Sequence, residues 1–595
     1  MIVPMKAVAL LMPESRREEA VRRLGELCVL HLRERPEPEP GEELQRVELA
    51  IRILEECQDA AESAAGPTLP AAEIVADVLS MAQEREALQT RHHELQTEMA
   101  RIAPLGDFEP ESLAELRERG LFLRVYRCRE REFRRLAPTH AAAVIRRDTP
   151  EWWIAILSRE AEVIPGLREV ALPSQSPSKL RLEARKIEAR LLEIHRRLRA
   201  FCPQLDVLHA EARRLRQQGE LRAALATVRS NRPLAILEGY CPQPRLSELH
   251  RFAREQGGAL LERRIHPDDQ APTHLANPPW IESAGPVYRI INSLPGYREM
   301  DVSLWFLIYL TLFFAILIGD AGYGLLTLLA TLAWRRYGRP PAEAIRLLAI
   351  LGGATVAWGA LSGNWFGIEA LGNAPVLRSL VIPRLDAFDP ASQPAAMLIC
   401  FVIGATHLCA AHLLIAWRQR HSLTALCQIG WTLIVAASFF VVRYLVLETP
   451  TPPLAYALLI TGTLLAVFFA APQRNLLRGA GIGVARLPLK LMNCFGDLIS
   501  YIRLFAVGMA TLAVAASFNE IAAGLGVGGP GRVLLAGLVL LLGHGINLAM
   551  AALGVIVHGV RLNMLEFSGH AELEWSGTEF QPFQLNHTDN LQDTH

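Results

Sequence analysis

Lysine is nearly missing from this chain of 595 residues. Of its 61 basic residues only Lys6, Lys179, Lys186 and Lys490 are lysines, and arginine supplies the rest. Acidic residues also number 61, so the formal net charge is zero and nothing suggests a nucleic-acid partner. Cysteine is sparse and unpatterned. The nine (Cys28, Cys57, Cys128, Cys202, Cys241, Cys400, Cys409, Cys427, Cys494) stand singly, with no CxxC and no Cys/His cluster at zinc spacing. That reads as buried or membrane thiols in a reducing compartment, with no metal expected. There is no GxxxxGK[ST] loop, hence no nucleotide-hydrolysing site of that kind, and no cofactor is expected. The apolar run at Met1–Pro13 lacks a small-residue cleavage site and passes directly into Glu14, Arg16, Arg17, Glu18 and Glu19. A signal peptide is therefore not expected, and the charged half should stay in the cytoplasm.

What is present is divided unevenly. Residues 1–300 are rich in charge, whereas from Trp305 onward long stretches carry almost none. In the charged half, Met5–Met12 and Cys28–Leu32 read as short strands around a helix at Glu14–Leu27. Leu121–Tyr126, Trp153–Leu157 and Leu234–Gly239 read as further strands. Two long heptad lattices lie among them. One is Ile74, Val78, Met81, Leu88, Leu95, Met99 and Ile102, with Arg85 and His92 as polar exceptions. The other is Ala184, Ile187, Leu191, Ile194, Leu198, Phe201, Leu205, Leu208, Ala212 and Leu215. Together they predict an antiparallel coiled-coil strut with globular ends, kinked at Pro203. A plain helix bundle is the alternative.

The second half carries apolar runs at 302–334, 344–366, 395–417, 423–442, 454–472, 498–519 and 533–560. The first is 33 residues, about 50 Å as one helix, too long for a hydrocarbon core of about 30 Å. Gly319-Asp320-Ala321-Gly322-Tyr323-Gly324 at its middle predicts a tight turn. That makes eight spans, near 302–318, 321–336, 344–366, 395–417, 423–442, 454–472, 497–520 and 533–562. With residues 1–300 inside, the inner loops then hold Arg335, Arg336, Arg339, Arg346, Arg418, Arg420, Arg474, Arg478, Arg486 and Lys490. The outer loops hold only Arg378, Arg384, Arg443 and Arg532, in keeping with the positive-inside rule. The expected fold is an α-helical polytopic membrane domain (301–567) of eight tilted transmembrane helices. A cytoplasmic α+β domain (1–300) with the strut and two α/β lobes precedes it, and a cytoplasmic tail (568–595) follows.

Two arginines stand inside apolar helices. Arg503 follows Asp497 in a run otherwise free of charge, and Arg561 ends a run of 28 residues without Asp, Glu, Lys or Arg. An arginine at bilayer depth costs about 2.5–3.5 kcal/mol or more, so it normally faces protein or a watery cavity. Snorkelling to the headgroups is the competing account. Polar neighbours favour an ion path. Ser500 precedes Arg503 by one turn, and His544, Asn547, Ala551, Gly554 and His558 share one helical face leading to Arg561. Asp497 and Glu566 complete the candidate lining residues.

These residues lie in motifs that resemble a known family. FGDLISYIRLFAVGMATLAVAASFN (495–519) and GHGINLAMAALGVIVHGVRLNMLEF (543–567) are similar to the seventh and eighth spans of the membrane stator subunit of V/A-type rotary ATPases, called subunit a or subunit I. YREMD (297–301), GDAGYG (319–324) and WGALSGNWFG (358–367) resemble the start of its membrane domain and its third span. MIVPMKAVALL (1–11), LEGYCPQ (237–243) and APTHLANPPWIESAGPVYRIINSLPGYREMD (271–301) resemble its soluble half. The likeness is to the prokaryotic type, with His544 and Asn547 matching its motif. Where vacuolar relatives have an acidic residue ten positions before the second arginine, this chain has Ala551. The tail SGHAELEWSGTEFQPF (568–583) resembles the family only loosely.

The resemblance implies a non-nucleotide-binding subunit with Arg503 and Arg561 as ion-translocating residues, placed against a rotating proteolipid c/K ring. It also implies peripheral stalks of E/G-type heterodimers, a C/d-type central-stalk subunit nearby, and a prokaryotic cell membrane with both termini cytoplasmic. The ion, H⁺ or Na⁺, and the direction, pump or synthase, stay open at this point. A secondary transporter would predict an internal repeat, and none is visible. A non-transporting scaffold with a coiled-coil arm would leave the polar face before Arg561 without a purpose.

Overall fold

Pro203 and Gly319 are the two places where local chemistry most plainly sets the chain's course. The computed structural model describes residues 1–34, 41–57, 69–147, 150–160, 163–165, 167–172, 175–231, 233–338, 340–470, 476–526 and 528–585. Arg339, Arg474, the end of the expected sixth span and residues 586–595 of the expected tail lie outside the described residues, as do the side chains of Arg478 and Arg486. Contacts group Met1–Glu34 with Val228–Gln584 in one unit and Arg35–Thr227 in another.

In the Arg35–Thr227 unit, the helix Ala71–Ile102 runs antiparallel to Pro177–Phe201. Ion pairs flank their seam and fix its direction: Arg190 Nε to Glu84 Oε1 at 2.7 Å, Arg91 Nη2 to Glu183 Oε1 at 2.9 Å and His92 Nε2 to Glu188 Oε1 at 3.0 Å. His92, a polar break in the lattice, thus has a partner across the seam. Pro203, which has no N–H to give, sits in a 3₁₀ turn at Cys202–Gln204 before the helix resumes as Leu205–Ala226. The two alternatives for the lattice both occur. Leu95 and Ile102 meet Leu180, Ala184 and Ile187 as a helix pair. Toward the other end, Glu42–Glu56 adds Val47, Ala50, Ile51 and Leu54 to Ile74, Val78, Ile194, Leu198 and Leu208, making a bundle. Between the long helices in sequence lies a four-stranded antiparallel sheet, ordered 141–147, 152–158, 122–128, 168–170.

In the other unit, Met5–Pro13 pairs with Leu234–Pro242 on one side and Ala259–Arg263 on the other. Helix Arg17–Leu27 buries Ala20, Val21 and Leu24. It ends at Cys28, whose φ of 51° breaks the extended geometry expected from residue 28, so only His31–Leu32 form a strand. Ala141–Arg147, Arg168–Val170, Arg229–Asn231 and Ala259–Arg263 are strands that the sequence reading did not anticipate.

Each expected span of the apolar half contains helix among the described residues, and the third ends early, at Ser362. Ala342–Ser362, Pro390–Arg418, Thr424–Leu447, Leu487–Leu525 and Pro530–His570 are long and apolar enough to cross a membrane. Ser303–Ile318 and Pro453–Phe468 are apolar but shorter, at 16 residues each. The predicted turn is present: Gly319 takes φ 63°, and the Asp320 side chain accepts from Tyr323 N to cap Ala321–Tyr337. The expected seventh span is different. Its helix begins at Leu476, is interrupted at Tyr501 and resumes as Ile502–Leu525. Charges at Arg486 and Lys490 hid this earlier start from hydropathy. The last helix is α-helical over Pro530–Gly554 and again over Ser568–His570, while Val555–Val560 and Leu562–Phe567 are π-helical.

Candidate functional site

The interruption at Tyr501 and the π-helical segment meet at a single carboxylate. Arg503, in the first turn after the interruption, donates from Nη2 to Glu566 Oε1 at 2.6 Å and from Nε to the Ser500 carbonyl at 2.9 Å. Arg561 Nε lies 3.5 Å from the same oxygen. Ser500 Oγ, which donates to the Asp497 carbonyl at 2.6 Å, is 3.3 Å from it. The Glu566 side chain is 4% exposed, against 23% for Arg503 and 52% for Arg561. Residues five apart on an α-helix point about 140° from each other. The i→i+5 spacing of the π turns brings Arg561 and Glu566 to the same side. Glu566 Oε2 is buried with no hydrogen-bond partner among the described residues.

A second cluster lies toward the start of the last helix. Tyr323 Oη and His544 Nδ1 are 2.7 Å apart, and Asn547 Nδ2 donates to Tyr323 Oη at 3.0 Å and to the Thr511 carbonyl at 2.9 Å. His544 Nε2 is 3.1 Å from Asn519 Oδ1, and Asn519 Nδ2 donates to the Phe366 carbonyl at 2.7 Å. Asp320 anchors this end by accepting from Phe366 N and Gly367 N at 2.9 and 3.1 Å. The GDAGYG and WGALSGNWFG motifs therefore meet the His544–Asn547 face. The helix turns π after Gly554, ahead of His558. Gly554 faces Val507, one turn from the Thr511 that Asn547 meets, and His558 Nδ1 is buried with no hydrogen-bond partner among the described residues.

A third cluster lies toward the other end. Asp497 Oδ2 is 3.2 Å from His570 Nε2, His570 Nδ1 is 2.9 Å from His412 Nε2, and His412 Nδ1 is 2.8 Å from Gln428 Oε1. His407 is fully buried, 2.8 Å from Tyr501 Oη and stacked between Tyr309 and Phe567. Sequence reasoning missed His407, His412, Gln428, His570 and Tyr501. The two histidines inside the 395–417 run were a usable signal, since an ionisable residue within a span is a functional candidate by default. Among the described residues no group of three or more His, Cys, Asp or Glu is arranged to hold a metal ion.

No protein-family model matches the chain. Curated relatives do. V-type ATP synthase subunit I 1 of Treponema pallidum is 30% identical, over 98% of this chain and 100% of its own length. V-type ATP synthase subunit I of Borreliella burgdorferi is 27% identical over 86% of this chain and 87% of its own. A-type ATP synthase subunit I of Methanocaldococcus jannaschii is 25% identical over 54% of this chain and 50% of its own.

Proposed function

Since the chain belongs to the subunit I family of V-type and A-type ATP synthases, we propose that it supplies the ion half-channels and the essential arginines against a rotating proteolipid ring. It is a non-catalytic membrane subunit of a rotary ATPase. The observation that carries the reading is the convergence of Arg503 and Arg561, from two different helices, on one buried carboxylate oxygen. A ring carboxyl group facing lipid must be neutral, because an ionised one is too costly there. Opposite Arg503 and Arg561 it can ionise, because nearby positive charge favours the carboxylate. A guanidinium does not give up its proton, so the same pair blocks a direct leak.

The two polar clusters support offset half-channels. His544 precedes Arg561 by 17 residues, about 25 Å of helix axis, whereas the Asp497–His570 cluster lies beyond Arg561 toward the chain end. In this reading the chain spans a prokaryotic cell membrane with both termini cytoplasmic, and the Arg35–Thr227 unit holds peripheral E/G-type stalks against torque. The test is Arg503→Ala in the purified, vesicle-reconstituted complex. ATP-driven ion transport is abolished while the ring and the nucleotide-binding head still copurify. Retained transport by an assembled complex overturns the reading.

A further inference from the structure

The Asp497–His570–His412–Gln428 chain has a fixed hydrogen-bond polarity, and that polarity bears on which ion is moved. Gln428 Nε2 lies 3.4 Å from Glu572 Oε1. The amide must present its N–H₂ there, because its carbonyl would otherwise face an exposed carboxylate, acceptor against acceptor. Gln428 Oε1 is thereby left to accept from His412 Nδ1–H at 2.8 Å. A neutral His412 protonated on Nδ1 has a bare Nε2, which must accept from His570 Nδ1–H at 2.9 Å. His570 Nε2 then faces Asp497 Oδ2 at 3.2 Å with a single proton to share. Either His570 is an imidazolium beside an Asp497 carboxylate, or His570 is neutral beside a protonated Asp497.

We propose that Asp497 and His570 form a proton-holding site whose tautomer Gln428 and His412 set, and that the ion this subunit moves is therefore a proton. The proposal rests on the half-channel reading above. The groups around the pair are consistent with one mobile proton, and His407, the other histidine beside His570, is fully buried and engaged by Tyr501 Oη at 2.8 Å. His412 is 7% exposed and stacks on Trp431, over whose ring Lys490 Nζ lies at 5.8 Å. It is the poorest place for a positive charge, so the proton rests on the His570–Asp497 pair, where the carboxylate offsets it. The Glu572 carboxylate is taken up by Gln428, and Glu566 by Arg503 and Arg561. Asp497 is the open end, its side chain 35% exposed against 10% for His570. It also lies one turn from Ser500, which touches Glu566. The step is a proton transfer alone: the shared proton passes from His570 Nε2 to Asp497, the O–H bond of Asp497 breaks as one forms on an incoming carboxylate, and hydronium from water at the exposed side of Asp497 returns one proton to the pair. A sodium ion would need a cage of oxygens. Here two imidazoles point their nitrogens along the chain.

The test uses the whole rotary complex in sealed vesicles, with ATP-driven acidification followed by a pH-sensitive dye and sodium uptake by ²²Na⁺. Wild-type acidification proceeds at the same rate without sodium. Asp497→Asn and His570→Gln lower it at least about a hundredfold, the lower range of a positioned proton-transfer group, and Asp497→Glu restores most of it. Gln428→Leu, a positioning change, moves the pH optimum. The proposal is overturned if the Asn and Gln variants pump at the wild-type rate, or if sodium is taken up in place of protons. If Asp497→Asn fails to copurify with the ring, the Gln428→Leu profile decides, and an unmoved optimum overturns the site. Arg503→Ala is run alongside. If it retains transport the underlying reading fails. If it is inactive while Asp497→Asn is at full rate, only the proton-holding site fails.

Discussion

A carboxylate that receives two guanidinium groups in a buried position depends on both. Removing one partner of such a pair leaves an uncompensated charge, which costs more than the pair itself contributes. Glu566→Gln and Arg503→Gln should therefore each lower the thermal stability of the detergent-solubilised subunit. The double variant should lose less than the two single losses added together, and simple additivity would disprove the coupling. In the charged half, Asp269 accepts from Arg263 Nη1 at 2.8 Å and from the His266 amide at 2.6 Å. The Arg263 guanidinium holds its carboxyl down to about 2. Its folded value is below the ordinary carboxylate range near about 3.9, so its stabilisation is present above about pH 4 and is lost as pH falls toward about 2. A pH series of lobe melting should be flatter between those limits in Asp269→Asn than in wild type. At this scale Arg503, Arg561 and Glu566 were legible because charge inside an apolar run stands out. Tyr501 and Gln428 were not, because uncharged polar side chains do not stand out in an apolar run and their partners come from helices remote in sequence.

At the scale of elements, close helix approach is set by glycines whose positions differ sharply. A Cβ on Gly359 would lie 2.0 Å from Ala321 N, at the backbone beside the Asp320 cap, whereas one on Gly353 of the same helix meets nothing within 4 Å. Gly359→Ala must push the Ala342–Ser362 helix away from the Asp320 turn, disrupting the bonds from Phe366 N and Gly367 N to Asp320 and with them the Tyr323–His544 contact. It should abolish folded subunit in membranes. Gly353→Ala should be neutral or stabilise by up to about 1 kcal/mol through helix propensity. Equal yields of the two variants in a membrane expression assay would refute this packing. The helices and the Gly319 turn were readable from hydropathy and glycine placement. The interruption at Tyr501 and the π turns at Val555–Phe567 were not, since an i→i+5 hydrogen bond leaves no periodic mark in so short a segment.

At the scale of the whole chain, hydropathy marks where charge ends but not how the charged half divides. Met1–Glu34 joins Val228–Gln584 through pairings such as Met5 N to Tyr297 Oη at 2.8 Å and Phe583 N to the Leu30 carbonyl at 2.8 Å, which no periodicity signals. The Arg35–Thr227 unit has a core of its own, and Leu198 in it is 0% exposed. Truncating such a leucine to alanine costs about 2–5 kcal/mol, and an aspartate there adds a buried charge. Leu198→Asp should therefore release the amides of Ala71–Ile102 and Pro177–Phe201 to hydrogen exchange. It should leave the protection of Ile502–Leu525 and Pro530–Gly554 unchanged, because those helices draw on a separate set of buried side chains. If the Arg35–Thr227 unit carries the stalks, the same variant should hydrolyse ATP without moving protons while its arginines stay in place. Loss of protection in both units together would mean that they fold as one cooperative body. Coupled transport at the wild-type rate, with the first unit unprotected, would mean that torque is held elsewhere.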